Sequence, residues 1–513
     1  MSDNRSIKST RNMVTGFLSK TFNMLLTFVS RTVFIKVFGV EILGINGLFA
    51  NVLAFLCLAD LGFSTAMTYS YYKPIADNDT DKIAALNQFY KKVYLCIAAG
   101  IAAIGLALIP FLKYIINLEQ EVDHLYIYYL LTLANTVVSY LFVYKTTVLY
   151  AHQEGYIVTK YNMIMSTVSV IAQIILMLIF KNYILYLSVS VIFTLINNFY
   201  VSHVTDKRYP FINKKVKLEK EDKKGIFGNM GSIFLYKVSS VLMNSTDNII
   251  ISKLIGTVTV GFYSNYLTVI NMLSSYITIL FTSMTASIGN LMVKESSEKQ
   301  FRVFKDIQMI SAWCCITICP CVYALINDFI IVWIGEKFLI DDLTVIAVII
   351  NFFLVCILNP IWIFREAAGI YRKTKYIMVI CAVINIVLSV IMGKMIGLSG
   401  VIFASAISKL FTYIWYEPII LFRDYFKKSP LNFFASSLGI VAITAAICAL
   451  LYYIKSFIVL DGIMGFIVKG LVCFVLSNIV FAVIFCRNKY LRDLIKRGLN
   501  LLKDLKNRFL KSK

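Results

Sequence analysis

Apolar runs of about 20 residues recur along the whole chain, and each is long enough to cross a bilayer core as one helix. A soluble protein of 513 residues has too little interior to hide them. Hydrophobic residues make up 59% of the chain, charged residues only 15%, and the mean hydropathy is +0.76. A backbone in lipid must satisfy its own hydrogen bonds, so the sequence dictates an all-α polytopic membrane protein. Reading the runs against their polar breaks predicts 14 transmembrane helices. They lie near 13–36, 42–70, 88–112, 125–150, 157–180, 183–203, 226–252, 259–292, 303–326, 343–364, 376–396, 399–422, 431–454 and 463–486.

The polar breaks alternate in charge. One set comprises the N-terminus, 71–92, 151–160, 204–224, 293–305, 365–375, 423–430 and everything from Arg487. It holds about three quarters of the 50 Lys and Arg residues. The opposite set carries Lys36, Lys113, Lys181, Lys253, Lys337, Lys394 and Lys455, together with acids such as Glu119, Glu121, Asp123, Asp341 and Asp342. The positive-inside rule then puts both termini in the cytoplasm. The net charge of +22 becomes an orientation signal and calls for no nucleic acid. The tail Tyr490–Lys513 reads as a basic amphipathic helix with an apolar stripe of Leu491, Leu494, Ile495, Leu502, Leu505 and Phe509. Such a helix suits an anionic leaflet. The polar N-terminus runs into a first span too long for a cleavable signal peptide.

No constellation suggests an enzyme. There is no Walker lysine loop, and His124, His152 and His203 lack metal-ligand spacing. The 11 cysteines fall almost entirely inside apolar runs. The cluster Cys314, Cys315, Cys319 and Cys321 has no neighbouring histidine and reads as packing residues rather than a metal site. No cofactor is expected, and coupling to a proton or sodium gradient is left open.

A shift of 217 residues aligns the first predicted span with the seventh. Phe17-Leu18-Ser19-Lys20 meets Phe234-Leu235-Tyr236-Lys237, Lys36-Val37-Phe38-Gly39 meets Lys253-Leu254-Ile255-Gly256, and Gly44 meets Gly261. A shift of 215 aligns Thr159-Lys160-Tyr161 with Thr374-Lys375-Tyr376. Six helices per repeat is an even number, so both halves run the same way, as in transporters with parallel repeats. The expected organisation is an N-lobe at 1–204 (helices 1–6), a basic cytoplasmic linker at 205–224 and a C-lobe at 225–425 (helices 7–12). Helices 13 and 14 follow at 426–487, and the basic tail at 488–513.

Charges at membrane depth are costly unless they face water or a partner. Arg31 lies in helix 1, Lys145 in helix 4, Lys237 in helix 7, Arg365 at the end of helix 10 and Lys409 in helix 12. Each either snorkels or pairs within the bundle, or else lines an aqueous cavity. Lys237 and Lys409, deepest in their spans, fit the cavity best. A cavity lined by Lys and Arg suits an anionic ligand, above all a phosphate or pyrophosphate. Asn23, Asn46, Asn51, Asn244, Asn248, Asn265 and Asn271 offer neutral hydrogen bonds to a sugar, or equally to neighbouring helices. The 31 tyrosines are expected mainly in interfacial belts, with a few rings left for stacking on sugars. Asp60 and Asp247 are the acids expected inside the bundle and the candidates for ion coupling.

The stretch from Arg31-Thr-Val-Phe-Ile-Lys-Val-Phe-Gly39 through Leu43-Gly44-Ile45-Asn46-Gly47-Leu48-Phe49 resembles the start of Wzx-type polysaccharide flippases. So do Leu58-Ala-Asp-Leu-Gly62 and Tyr71-Tyr72-Lys73-Pro74-Ile75-Ala76. A second anchor is Ser245-Thr-Asp-Asn-Ile-Ile-Ile-Ser252 with Gly256 and Val260-Gly-Phe-Tyr-Ser264. The likeness runs in order over roughly residues 8 to 425. It implies membership of the superfamily that also holds the MATE exporters and the lipid II flippases. It further implies movement of an undecaprenyl-pyrophosphate-linked oligosaccharide between leaflets, by alternating access around a cationic central cavity. The product would be a surface polysaccharide such as O-antigen, capsule or exopolysaccharide, with a polymerase and glycosyltransferases as partners beside the membrane lipids. Arg31, Lys237, Arg365 and Lys409 match that role. A cation-coupled multidrug exporter, a lipid II-type flippase and a scaffold of a polysaccharide assembly complex are the alternatives.

Overall fold

The computed structural model describes residues 2–57, 63–112, 122–219, 230–494 and 496, and among these the chain is helical without strands. It divides into two compact units, Met1–Ser264 and Asn265–Lys513. The division falls inside the helix Thr257–Thr282, so the units are not the same partition as the two sequence repeats.

The first unit contains α1 (Ser2–Leu56), α2 (Phe63–Ala76), α3 (Thr80–Ala107), α4 (Leu125–Tyr140), α5 (Val143–Ala151), α6 (Gly155–Phe180), α7 (Tyr183–Arg208) and α8 (Met230–Leu254). It ends in the first turns of α9 (Thr257–Thr282). Asp79 starts α3 by accepting from the Lys82 amide, and Asn182 starts α7 by accepting from the amides of Ile184 and Leu185. Helix α1 is broken at Gly39, whose φ of 81° and ψ of 179° are open to glycine and hostile to other residues. Its counterpart at the repeat shift, Gly256, has φ 138° and separates α8 from α9. The repeat therefore has the same punctuation in both copies. The core of this unit is rich in tyrosine: Tyr71, Tyr90, Tyr94 and Tyr129 are fully buried beside Phe49. Two of the four hydroxyls have hydrogen-bond partners close by: Tyr129 donates to Gly105 O at 3.0 Å, and the Tyr90 hydroxyl lies 2.8 Å from Ser70 Oγ.

The second unit contains α10 (Thr285–Lys294), α11 (Ser297–Trp313), α12 (Cys319–Ile334), α13 (Asp342–Ala368), α14 (Tyr371–Phe411), α15 (Tyr413–Leu421), α16 (Leu431–Lys455) and α17 (Gly462–Phe485). One π-helical turn, Cys314–Ile318, joins α11 to α12. It buries Cys314 and Cys315, with Cys319 at the start of α12, against Cys356. Helix α14 is broken at Ile396 and Gly397. Phe304, Phe364, Phe422, Phe426 and Phe433 form the aromatic centre, with Phe304 and Phe426 ring centroids 5.1 Å apart.

Among the described residues ten helices are long and apolar enough to cross a membrane, eleven if α4 and α5, bent by 42°, form one span. The fourteen expected spans exceed this count, and the difference falls at three places. Leu18–Leu56 and Lys373–Phe426 each pass as one helix, although each carries a non-helical glycine where a loop is predicted. The third place is α8. It is 25 residues long but too polar to qualify, carrying Lys237, Asp247, Asn248 and several hydroxyls. The surface is inverted relative to a soluble protein: Leu438 is 70% exposed while Ser389, Asn385 and Ser408 are fully buried. Of the predicted tail helix, residues 489–494 are helical; residues 497–513 lie outside the described residues, as does part of the predicted linker.

Candidate functional site

Arg31, Lys145, Lys237 and Asp247 belong to the first unit, and Arg365 and Lys409 to the second. Asp60, within 58–62, lies outside the described residues.

In the first unit, Arg31, Phe34 and Phe38 recur at i, i+3 and i+7, so α1 presents them on one face. That face meets the start of α7. Phe34 packs edge-on against Tyr183 and Tyr186 at 5.6 and 5.3 Å, and Phe38 against Tyr183 at 5.4 Å. The two tyrosine rings are near parallel, 18° apart. Arg31 lies beside Tyr186, and its Nη2 donates to Ser264 Oγ. Ser264 Oγ donates in turn to Gly261 O at 2.7 Å, so its hydrogen is engaged and a lone pair faces the guanidinium. Tyr183 donates to Asn46 Oδ1 at 3.2 Å. The result is a half-buried guanidinium beside the Tyr186 ring, with the neutral Ser264 hydroxyl as its acceptor.

Helix α8 supplies Lys237, half-buried, and Asp247 ten residues further along, about 15 Å at the helical rise. The Asp247 carboxylate is close enough to the Tyr263 phenol for the two to interact electrostatically. Asn248, the next residue, is buried.

Lys145 has a carboxylate partner. Its Nζ lies 2.5 Å from Asp206 Oδ2, and Asp206 Oδ1 accepts from Asn213 Nδ2 at 3.0 Å. A second pair sits nearby in sequence, Arg208 with Glu154 at 2.6 Å, and Tyr209 also donates to Glu154 at 2.9 Å. Burial, with the Glu154 charge beside it, pushes the Tyr209 phenol pKa well above its ordinary value. These pairs fasten the segment after α7 to its own unit.

In the second unit Arg365 Nη1 donates to both oxygens of Glu417, at 2.7 and 2.9 Å, and the two side chains are 11% and 2% exposed. Lys409 Nζ donates to Asn351 Oδ1 at 2.9 Å. The Asn351 amide nitrogen is committed to Ala347 O and Ile402 O, which fixes its oxygen toward the lysine.

Sequence reasoning admits only Asp60 and Asp247 as acids within the bundle, and the structure corrects that. Glu417, Asp306 and Glu154 are all 3% exposed. Glu417 falls where the predicted helix 12 approaches its end, and the sequence reading did not single it out. Its signal was a lone acid inside Tyr413-Ile-Trp-Tyr-Glu-Pro-Ile-Ile-Leu421, which demands a buried cation. Asn351 gave the same kind of signal, a lone amide in an apolar helix.

The profile of the family described as polysaccharide biosynthesis protein matches residues 9–288, more than half of the chain. Among solved structures the chain is similar to the lipid II flippase MurJ in an inward closed conformation. The TM-score is 0.68 at 13% identity, over 94% of this chain and 99% of that one. It is also similar to a multidrug resistance MATE family transporter of the MOP superfamily. The outward-facing form gives a TM-score of 0.57 at 14% identity, covering 85% of this chain and 96% of that one. The inward-facing form gives 0.56 at 14%, covering 77% and 93%. No curated protein sequence matches the chain significantly. The chain thus belongs to the polysaccharide biosynthesis protein family and is a multi-pass helical membrane protein with the fold seen in MurJ and MATE transporters.

Proposed function

We propose that the chain is a flippase that moves an undecaprenyl-pyrophosphate-linked oligosaccharide from the cytoplasmic to the outer leaflet by alternating access, for surface polysaccharide assembly. A pyrophosphate with a hydrophilic glycan cannot cross hydrocarbon unaided. The observation that carries the reading is the set of cations within the spanning helices, with Arg31 donating to Ser264 and Lys409 to Asn351, in a chain of this family. Arg31, Lys237 and Lys409 are assigned to the pyrophosphate. Lys145 and Arg365 reach it only by exchanging Asp206 and Glu417 for the substrate. Tyr183, Tyr186 and Asn46 supply the stacking and hydrogen bonding that a sugar next to the pyrophosphate needs. Coupling to a proton or sodium gradient is assigned to Asp247. Both termini are placed on the cytoplasmic side of the inner membrane, with the polymerase and glycosyltransferases of the pathway as partners.

Replacing Lys237 and Lys409 together by Ala tests the reading. Surface polysaccharide is expected to be lost while protein levels stay normal. Normal polysaccharide in that strain would overturn the assignment, and new sensitivity to cationic drugs on deletion of the gene would favour an exporter.

A further inference from the structure

Two adjoining cavities open between α11, α16, α17 and the segment that follows α17, all within the second unit. The first has a volume of 330 Å³ and the second 520 Å³, and Met309 lines both. The first is polar at one end only. There Lys305 Nζ donates to Gln308 Oε1 at 2.9 Å, and Gln308 Nε2 donates to Ser436 Oγ at 3.0 Å. Among the described residues no carboxylate lies within ion-pairing distance of Lys305. Beyond this end the wall is apolar, formed by Ile440, Ile443 and Phe485. It continues past Met309 to Phe481, Leu491 and Leu494. Leu491 and Leu494, the first members of the apolar stripe expected on the leaflet surface, thus face the bundle.

A dry crevice of this size is unfavourable in a close-packed protein, and water entering it would find few polar partners. The crevice reaches the outside at Gly439, where a Cβ would meet nothing within 4 Å, and at Ile484, which is 46% exposed. Arg302 stands one helical turn before Lys305, Arg487 and Lys489 flank the lining residue Asn488, and Lys428 Nζ is 4.5 Å from the Phe301 ring centroid. That basic collar belongs to the face assigned to the cytoplasm, where membranes carry anionic headgroups. A lysine without a carboxylate at the mouth and an apolar slot behind it match an anionic amphiphile in both charge and shape.

We propose that this crevice holds an anionic phospholipid of the cytoplasmic leaflet, its phosphate on Lys305 and one acyl chain running past Met309. The lipid would complete the wall made by residues 488–494, a segment already tied to α11 by the Arg302–Asp493 ion pair at 2.9 Å. The site is separate from the cations assigned to transport and does not depend on that assignment.

Native mass spectrometry and thermal melting of the delipidated full chain in detergent test the proposal. Phosphatidylglycerol is titrated against phosphatidylcholine of the same chains, and against undecaprenyl phosphate. Phosphatidylglycerol is expected to bind and raise the Tm where phosphatidylcholine does neither. Lys305→Gln should weaken it about fivefold, the effect of one lysine near a charged headgroup. Gly439→Leu, which fills the slot, should abolish binding while leaving the lipid-free Tm unchanged or higher. Equal binding of both phospholipids, or retention in both variants, would overturn the proposal. So would a clear preference for undecaprenyl phosphate, or lipid binding that appears only after residues 497–513 are removed, since the slot would then belong to another occupant.

Discussion

Gly44 and Gly261 make a reciprocal contact. A Cβ on Gly44 would stand 2.2 Å from Thr257 O, and a Cβ on Gly261 would stand 2.4 Å from Val40 O. Val40 and Thr257 are themselves one repeat shift apart, as the two glycines are, so each helix offers the same two positions to the other. That is the signature of a contact across a local twofold. In lipid, where there is little hydrophobic drive between helices, such close approach depends on small residues.

Gly44→Ala and Gly261→Ala should therefore each destabilise the first unit by about 1–3 kcal/mol, the usual cost of forcing extra atoms into a packed contact. Gly47→Ala, where a Cβ meets nothing within 4 Å, is the matched control and should lose only what its helix propensity dictates. Melting temperatures of the purified proteins in detergent decide it. Equal Tm values for all three variants would mean that the helices do not approach this closely.

The Arg365–Glu417 pair makes a second prediction. Both groups are buried, so Glu417→Ala leaves an uncompensated guanidinium and should cost about 3–5 kcal/mol. Replacing both together, Arg365→Met with Glu417→Leu, should recover most of the stability, because no buried charge remains. Folded yield and Tm separate the two cases. A double variant as unstable as Glu417→Ala would show that the pair does more than neutralise itself.

Membrane class, the glycine breaks and the repeat were legible in the sequence because each follows from local chemistry. Apolar length requires a span, and Gly39 and Gly256 are the residues that accept the backbone angles found there. What α8 lacked in hydropathy it revealed in polar residues, and those were among the residues singled out. Pairing was not legible. Glu417 lies 52 residues from Arg365 and Asp206 61 from Lys145, and nothing local to either acid specifies its partner. Which tyrosines enter the core was not legible either: Tyr71 is fully buried and Tyr376 is 64% exposed, and that depends on what the fold packs around each ring.

Orientation can be tested at two short loops. In a variant cleared of its 11 cysteines, Asn78→Cys lies in a loop assigned to the cytoplasm and Val459→Cys, at an 89% exposed position, in one assigned to the outside. A membrane-impermeant thiol reagent applied to intact spheroplasts should label Cys at 459 and spare Cys at 78, with both labelled after lysis. The reverse pattern would invert the positive-inside assignment.

The most specific prediction concerns Lys409 and Asn351. The Asn351 oxygen already faces Lys409 at 2.9 Å, and its amide nitrogen is held by Ala347 O and Ile402 O. Asn351→Asp keeps the shape of the side chain but places a full negative charge against the ammonium, and at this depth the two would bind each other strongly. If Lys409 contacts the pyrophosphate, the substrate must now compete with an internal carboxylate. Delivery of lipid-linked glycan to the outer leaflet should fall about tenfold or more for each 1.4 kcal/mol of that competition. Stability should fall modestly, because the carboxylate cannot donate to Ala347 O and Ile402 O as the amide does, and the stronger contact with the ammonium offsets only part of that loss. Asn351→Ala makes the complementary case, since it removes the neutral acceptor and leaves the cation in place. It should reduce stability by about 1 kcal/mol for each of the three hydrogen bonds lost, and spare most of the transport. Transport that survives Asn351→Asp intact would remove Lys409 from the substrate path.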